Sequence, residues 1–165
     1  MSNHEQTEFI KLIRRHNGII QKVSGFYTNT RDDQKDLHQE VLLQAWKSFG
    51  NFKGHSAFST WLYRVALNTA LTYNKKHQRI KDIDKSGLFE PGQQNREDYE
   101  VLYDIIKSLG EVDRMLISLH LDGYKNNEIA EITGMTQNHI NVKIHRIKKK
   151  IIEIFKQSYD DPKGI

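Results

Sequence analysis

Two stretches of this 165-residue chain concentrate side chains suited to chemistry on a polyanion. Val41 to Lys81 carries Lys47, Lys53, Arg64, Lys75, Lys76, Arg79 and Lys81 but no Asp or Glu, although the chain holds 21 acids elsewhere. Interleaved with these cations are Trp46, Phe49, Phe52, Phe58, Trp61, Tyr63 and Tyr73. Cations attract phosphates, and aromatic faces stack on unpaired bases at about 1–3 kcal/mol per base. Taken alone, the aromatics read better as the core of a helical domain. The absence of acids tilts the stretch toward a nucleic-acid surface, because carboxylates would repel the same ligand. The second stretch, NNEIAEITGMTQNHINVKIHRIKKK (Asn126 to Lys150), places amides ahead of a run of cations. Asn pairs with adenine edges, whereas Arg and Lys bind guanine edges or phosphates. Covalent chemistry has no comparable signal. There is no Cys, the histidines are scattered without an HExxH pattern, and no phosphate-cradling loop is present. The expectation is a protein that is not an enzyme and uses no metal and no cofactor.

The elements that must position these groups are helical. Phe9, Leu12, Ile13, His16, Ile19, Ile20, Val23 and Phe26 recur at three- and four-residue spacing, which predicts one amphipathic helix. Thr28 to Arg31 breaks it, and a second helix is predicted from about Asp33 to Ser48, with Asp32, Asp33 and Asp36 at its positive end. Leu37, Val41, Ala45 and Ser48 share one face; Asp36, Gln39, Leu43 and Lys47 share the opposite one. After the loop GNFKGHS, a third helix is predicted over roughly 57–78, with Phe58, Trp61, Leu62, Val65 and Thr69 inward and Thr60, Arg64, Asn68 and Lys75 outward. Lys75 and Lys76 in its last turn also suit the negative end of the helix dipole.

Residues 82–97, with Gly87, Pro91, Gly92 and many acids, read as a flexible linker between two small domains, 1–81 and 98–165. Beyond it, Tyr99, Leu102, Tyr103, Ile106 and Leu109 predict a helix ended by Gly110. Val112, Met115, Leu116 and Leu119 predict another, closed near Gly123. A short helix with Ile129, Ala130 and Ile132 then stops at Thr133-Gly134, and Thr136 is a ready N-cap for the next. There Ile140, Ile144, Ile147, Ile151 and Phe155 form the buried stripe, leaving Asn138, Asn141, Val142, His145, Arg146 and Lys149 outward. Short helix, glycine turn and basic helix with amides near its start is helix-turn-helix geometry. The fold class expected is all-α: two helical domains, the C-terminal one a helix-turn-helix. Net charge +4 permits a polyanionic partner. Without a signal-peptide run or 18 consecutive apolar residues, the chain is expected to be cytoplasmic, with no membrane insertion.

The chain resembles the bacterial RNA polymerase sigma factors of the small, two-domain extracytoplasmic-function group. The resemblance is carried by DLHQEVLLQAWKSF (Asp36 to Phe49), FKGHSAFSTWLYRVALN (Phe52 to Asn68), GYKNNEIAEITGMT (Gly123 to Thr136) and IHRIKKK (Ile144 to Lys150), and it spans about residues 6–155. It implies core RNA polymerase and promoter DNA as partners, with an anti-sigma factor as a further candidate. It also implies that residues 1–81 bind the polymerase clamp and open the −10 element, and that the C-terminal domain reads the −35 element. Clamp binding falls on Asp36, Gln39, Glu40, Leu43 and Lys47. Capture of an unpaired non-template base falls on the loop with Asn51, Lys53, Gly54, His55 and Ser56, and promoter contact on Arg64 and Asn68. The recognition helix supplies Gln137, Asn138, Asn141, Val142, His145, Arg146 and Lys149. Three positions depart from the pattern: Leu67 where relatives carry a polar or basic residue, Lys143 where Arg is frequent, and Lys125 where Ser or Thr is usual. The last leaves Asn126 as a candidate cap.

Two readings from other classes stand beside this one. A stand-alone helix-turn-helix regulator with a partner-binding N-terminal domain would bind DNA tightly by itself and need no acid-free aromatic stretch. A recombinase-like enzyme should show a nucleophile or carboxylate metal site in residues 1–81, and Val41 to Lys81 has no carboxylates.

Overall fold

Ser2 and Thr30 begin the first two helices for the same reason: a hydroxyl can accept from backbone N–H groups that have no partner in the first turn. In the computed structural model, which describes residues 2–81 and 98–160, Glu5 N donates to Ser2 Oγ (3.3 Å) and Ser2 N to Glu5 Oε2 (2.6 Å). This reciprocal pair opens α1 (Asn3–Tyr27). Asp33 N likewise donates to Thr30 Oγ1 (3.1 Å), opening α2 (Arg31–Phe49) two residues earlier than the acidic cluster suggests. The third helix, α3, spans Phe58–Lys81.

These three helices pack pairwise into one compact unit. Its core is built from Ile20 and Val23 of α1, Leu37, Val41 and Ala45 of α2, and Leu62, Ala66 and Ala70 of α3. Burying each large aliphatic side chain contributes about 1.5–3 kcal/mol. Because α3 touches both α1 and α2, it buries more than the single stripe expected: Tyr63, Ala66, Leu67 and Ala70 are enclosed, whereas Trp61 and Val65 are only half-buried. Leu67, one of the departures from the family pattern, is therefore a core residue.

The second unit holds α4 (Asp98–Ser108), α5 (Glu111–Leu121), α6 (Asn126–Thr133) and α7 (Gln137–Asp160). No strand occurs among the described residues. The expected stripes are right at their centres and fail toward their ends, with Ile151 and Phe155 of α7 only half-buried. Tyr99, 75% exposed, and Val112, 43% exposed, lie in the first turns of α4 and α5. Ile105 and Ile117 are buried in addition to the predicted Ile106, Leu109, Met115, Leu116 and Leu119. Arg114 of α5 donates through Nη2 to Leu109 O (2.9 Å), tying α5 to the end of α4. The linker expected over 82–97 lies outside the described residues.

Candidate nucleic-acid and partner interfaces

On α2 the buried Leu37, Val41 and Ala45 leave the opposite side to solvent. Asp36, Gln39, Leu43 and Lys47 are exposed there, and Glu40 is half-buried, its Oε1 accepting from Gln44 Nε2 (2.7 Å). Leu43 is 44% exposed, an apolar residue amid the exposed polar side chains of that face. The face assignment made for α2 is thus the observed one.

The aromatics of the acid-free stretch behave mostly as core. Phe9 of α1 meets Trp46 and Phe49 edge-on, each with ring centroids 5.1 Å apart. Phe52 lies 5.2 Å from Trp61 and 5.7 Å from Phe58, and Phe58 lies 5.2 Å from Trp61. Such pairs add about 0.5–1.5 kcal/mol each beyond their burial. Their consequence for the loop between α2 and α3 is positional. Asn51 N and Phe52 N donate back to Ser48 O (3.0 Å) and Phe49 O (2.9 Å), so the chain turns at once after α2. Phe52 then anchors in the ring cluster, and the residues around it (Asn51, Lys53, Gly54 and His55) remain exposed, with Ser56 half-buried. Gly54 has φ +71°, a left-handed conformation that L residues adopt at a cost of about 1–2 kcal/mol. A polar loop is thereby held out from a rigid aromatic base. Arg64 and Asn68 follow one turn apart on the exposed side of α3.

Between α2 and α3 runs a cleft of about 720 Å³ that joins residues from both expected sets. Asp36, Glu40 and Lys47 line it from α2, Asn51 from the turn, and Asn68 from α3. It also includes Tyr73 and Lys76 of the acid-free stretch, and His77, which the sequence pattern did not place in a site. The Tyr73 and His77 rings stack at 4.1 Å. Burial, reinforced by the negative charges of Asp33 and Asp36, raises the Tyr73 phenol above its ordinary range, so it stays protonated. The i, i+4 spacing of Tyr73 and His77 is visible in the sequence. That it faces Asp36 across a cleft is not.

In the second unit, α6 ends where Gly134 takes φ +74° and its N–H donates to Ala130 O (2.9 Å). Thr136 Oγ1 accepts from His139 N (3.4 Å) and starts α7. Ile140, Ile144 and Ile147 are buried against the other helices, together with Ile129 and Ile132 of α6. The opposite side of α7 presents Gln137, Asn138, Asn141, Val142, His145, Arg146 and Lys149, all exposed. Val142, at 49% exposure, is the apolar member of that face. Lys143 is not on it: its ammonium pairs with Asp113 of α5 at 3.2 Å, so it braces the domain.

The start of α6 differs from expectation. The N-cap residue is Lys125, whose ammonium has no lone pair to accept with, and the turn is closed from the other side by Lys125 N donating to Glu128 Oε2 (2.7 Å). Asn126 is the first residue inside the helix and caps nothing. Its Nδ2 donates instead to Asn141 Oδ1 on α7.

Comparison with known proteins bears on the same two units. The Sigma-70 region 2 profile matches residues 12–80, and the Sigma-70 region 4 profile matches residues 99–151. The sigma-E factor of Escherichia coli K12, an extracytoplasmic-function RNA polymerase sigma factor, is 30% identical over 89% of this chain and 86% of its own length. The chain belongs to the extracytoplasmic-function group of the sigma-70 family. The sigma-E factor of Haemophilus influenzae is also 30% identical, over 79% of each chain. Among solved structures, the sigma factor RpoE in complex with the anti-sigma factor NepR from Bartonella quintana superposes with a TM-score of 0.72 at 19% identity, covering 94% of this chain and 98% of that one. CnrH in complex with the cytosolic domain of CnrY superposes with a TM-score of 0.69 at 18% identity, covering 92% and 90%. The resemblance read from the sequence is therefore correct. This sigma factor directs RNA polymerase to promoters, a non-enzymatic role in initiation, and a stand-alone regulator is not favoured. No helix among the described residues is long and apolar enough to cross a membrane.

Proposed function

We propose that the surfaces of this sigma factor divide the work of initiation residue by residue. The exposed side of α2, centred on Leu43 with Asp36, Gln39, Glu40 and Lys47 around it, docks on the polymerase clamp. The loop carrying Asn51, Lys53, His55 and Ser56 engages the −10 element as it opens, with Arg64 and Asn68 of α3 beside it. The exposed side of α7 (Gln137, Asn138, Asn141, Val142, His145, Arg146 and Lys149) reads the −35 element in duplex form. Residues 1–81 and 98–165 act as separate modules joined by 82–97, and the protein works in the cytoplasm. Since RpoE was solved with an anti-sigma factor, a restraining partner of that kind belongs to the same reading.

The observation that carries this division is the loop on its aromatic base. Unstacking and flipping a base costs a few kcal/mol. An exposed loop built from an amide, a hydroxyl, a cation and an imidazole can offset that only if it does not itself have to be ordered on binding. Phe52, packed against Phe58 and Trp61, supplies that order in advance. The test is the double variant Lys53→Ala/His55→Ala in reconstituted holoenzyme. Binding of the −35 duplex should persist while permanganate reactivity of the melted region falls, and a premelted promoter should restore much of the lost activity. Normal reactivity on duplex promoters would remove the loop from the opening step.

A further inference from the structure

A polar side-chain bond joins α6 to the exposed face of α7: Asn126 Nδ2 donates to Asn141 Oδ1. We propose that Asn126 is a positioning residue for promoter reading: it fixes the orientation of the Asn141 amide, leaving the NH₂ group free for DNA and one lone pair of the oxygen engaged. The proposal rests on α7 being the −35-reading helix.

The geometry behind it is set by the backbone. The two asparagines are fifteen residues apart in sequence and meet because the Gly134 turn folds α6 against α7. α6 packs against α7, and Ile129, Ile132 and Ile140 of these helices are buried, which keeps positions 126 and 141 close. Asn126 also has no competing duty, since Glu128 closes the first turn through Lys125 N. Asn141 is exposed, and an exposed amide otherwise samples several rotamers.

The chemical consequence concerns which bases are preferred. Pairing with adenine uses both ends of a carboxamide, the oxygen accepting from N6 and the nitrogen donating to N7. With one of the two Oδ1 lone pairs already accepting from Asn126, the NH₂ group keeps both of its donors while the oxygen keeps a single acceptor site. A donor suits positions that show acceptors in the major groove, above all the N7 and O6 of guanine, and is a poor match for the N4 amino group of cytosine. Asn141 is thus biased toward bases that show acceptors, guanine foremost, while the bidentate adenine contact has to use the one Oδ1 lone pair that remains.

Substitution at Asn126 separates this from a merely structural role. A promoter bound by the holoenzyme is randomised across its −35 element, and transcripts from the pool are sequenced for the wild-type chain, Asn126→Ala, Asn126→Asp and Asn141→Ala. Asn141→Ala identifies the base position that Asn141 reads. At that position Asn126→Ala should relax the preference by about three- to tenfold, as expected for releasing one ordered side chain. Asn126→Asp, an acceptor in place of a donor, should turn the amide around and move the preference toward bases that show a donor. Uniform loss of output from all templates with Asn126→Ala would make Asn126 structural and overturn the proposal. So would an unchanged profile for both Asn126 variants while Asn141→Ala alters it. If Asn141→Ala itself changes no base preference, the assignment of α7 as the reading helix fails, and this inference fails with it.

Discussion

Leu43→Asp is the sharpest perturbation of the polymerase-docking surface, because the structure separates what it should do to binding from what it should do to folding. Fully burying a leucine is worth about 1.5–3 kcal/mol, and 44% of Leu43 remains exposed in the free protein. Covering that remainder on docking contributes roughly 0.7–1.3 kcal/mol. Truncation by Leu43→Ala should therefore weaken binding to core polymerase about fivefold. An aspartate at the same place must be desolvated without a partner, at several kcal/mol, so Leu43→Asp should weaken binding by about a hundredfold or more. The cost to folding should be smaller than that, since the part of Leu43 already covered is worth at most about 0.8–1.7 kcal/mol on the same scale. The residue lies opposite Leu37, Val41 and Ala45, and the change in helix propensity is only about 0.5 kcal/mol. The assay is titration of core enzyme with the labelled sigma factor, beside denaturant unfolding followed by tryptophan fluorescence. Both tryptophans, Trp46 and Trp61, lie in the first unit, so the signal reports the domain that carries the mutation. A large fall in the unfolding midpoint would mean that Leu43 supports the core. Unchanged affinity with unchanged stability would mean that polymerase docks elsewhere.

The same optical separation serves the helix-turn-helix: Gly134→Ala should cost the second unit about 1–2 kcal/mol. A Cβ there meets no atom within 4 Å, so the left-handed φ alone sets the cost; the loss should appear in helical circular dichroism while the tryptophan transition stays in place. Arg146→Ala and Lys149→Ala should each lower holoenzyme affinity for all −35 sequences alike and flatten the log–log salt slope by about 0.9 for each phosphate no longer neutralised; a sequence-dependent loss would assign them to bases. Stability should fall on acidification. Burial holds His38 below its ordinary 6.5, as it does His16, aided by Arg15, and His120, aided by Lys148. A depressed histidine leaves the unfolded chain binding more protons as pH drops, so its contribution is complete above 6.5 and is lost as pH falls toward the folded value. His38→Gln should make the melting temperature less sensitive to acidification below pH 6.5, and an unaltered slope would exclude His38 as a source.

Local rules settled much of this protein before any tertiary contact was known. Periodicity placed Leu37, Val41 and Ala45 inward and Leu43 outward, because a helix repeats about every 3.6 residues whatever it packs against. Gly134 and Thr136 marked the turn between α6 and α7, because left-handed backbone and N-caps each favour few residue types. Those rules, with the order of the motifs, sufficed for the two-unit all-α fold and the family. What they could not decide depended on neighbours distant in sequence. The acid-free stretch was correctly seen as unusual, but whether Phe52 and Trp61 faced bases or each other depended on how α2 and α3 bring them together with Phe49 and Phe58. Tyr99 and Val112 fit their stripes and are exposed nonetheless, since a periodic pattern cannot say where a covering helix stops. Asn126 had the composition of a cap and instead grips Asn141, and Lys143 had the charge of a DNA contact and instead meets Asp113. In each case an amide or ammonium can form several bonds of similar strength, so the choice among them falls to whichever partner the packed helices bring within about 3 Å of it.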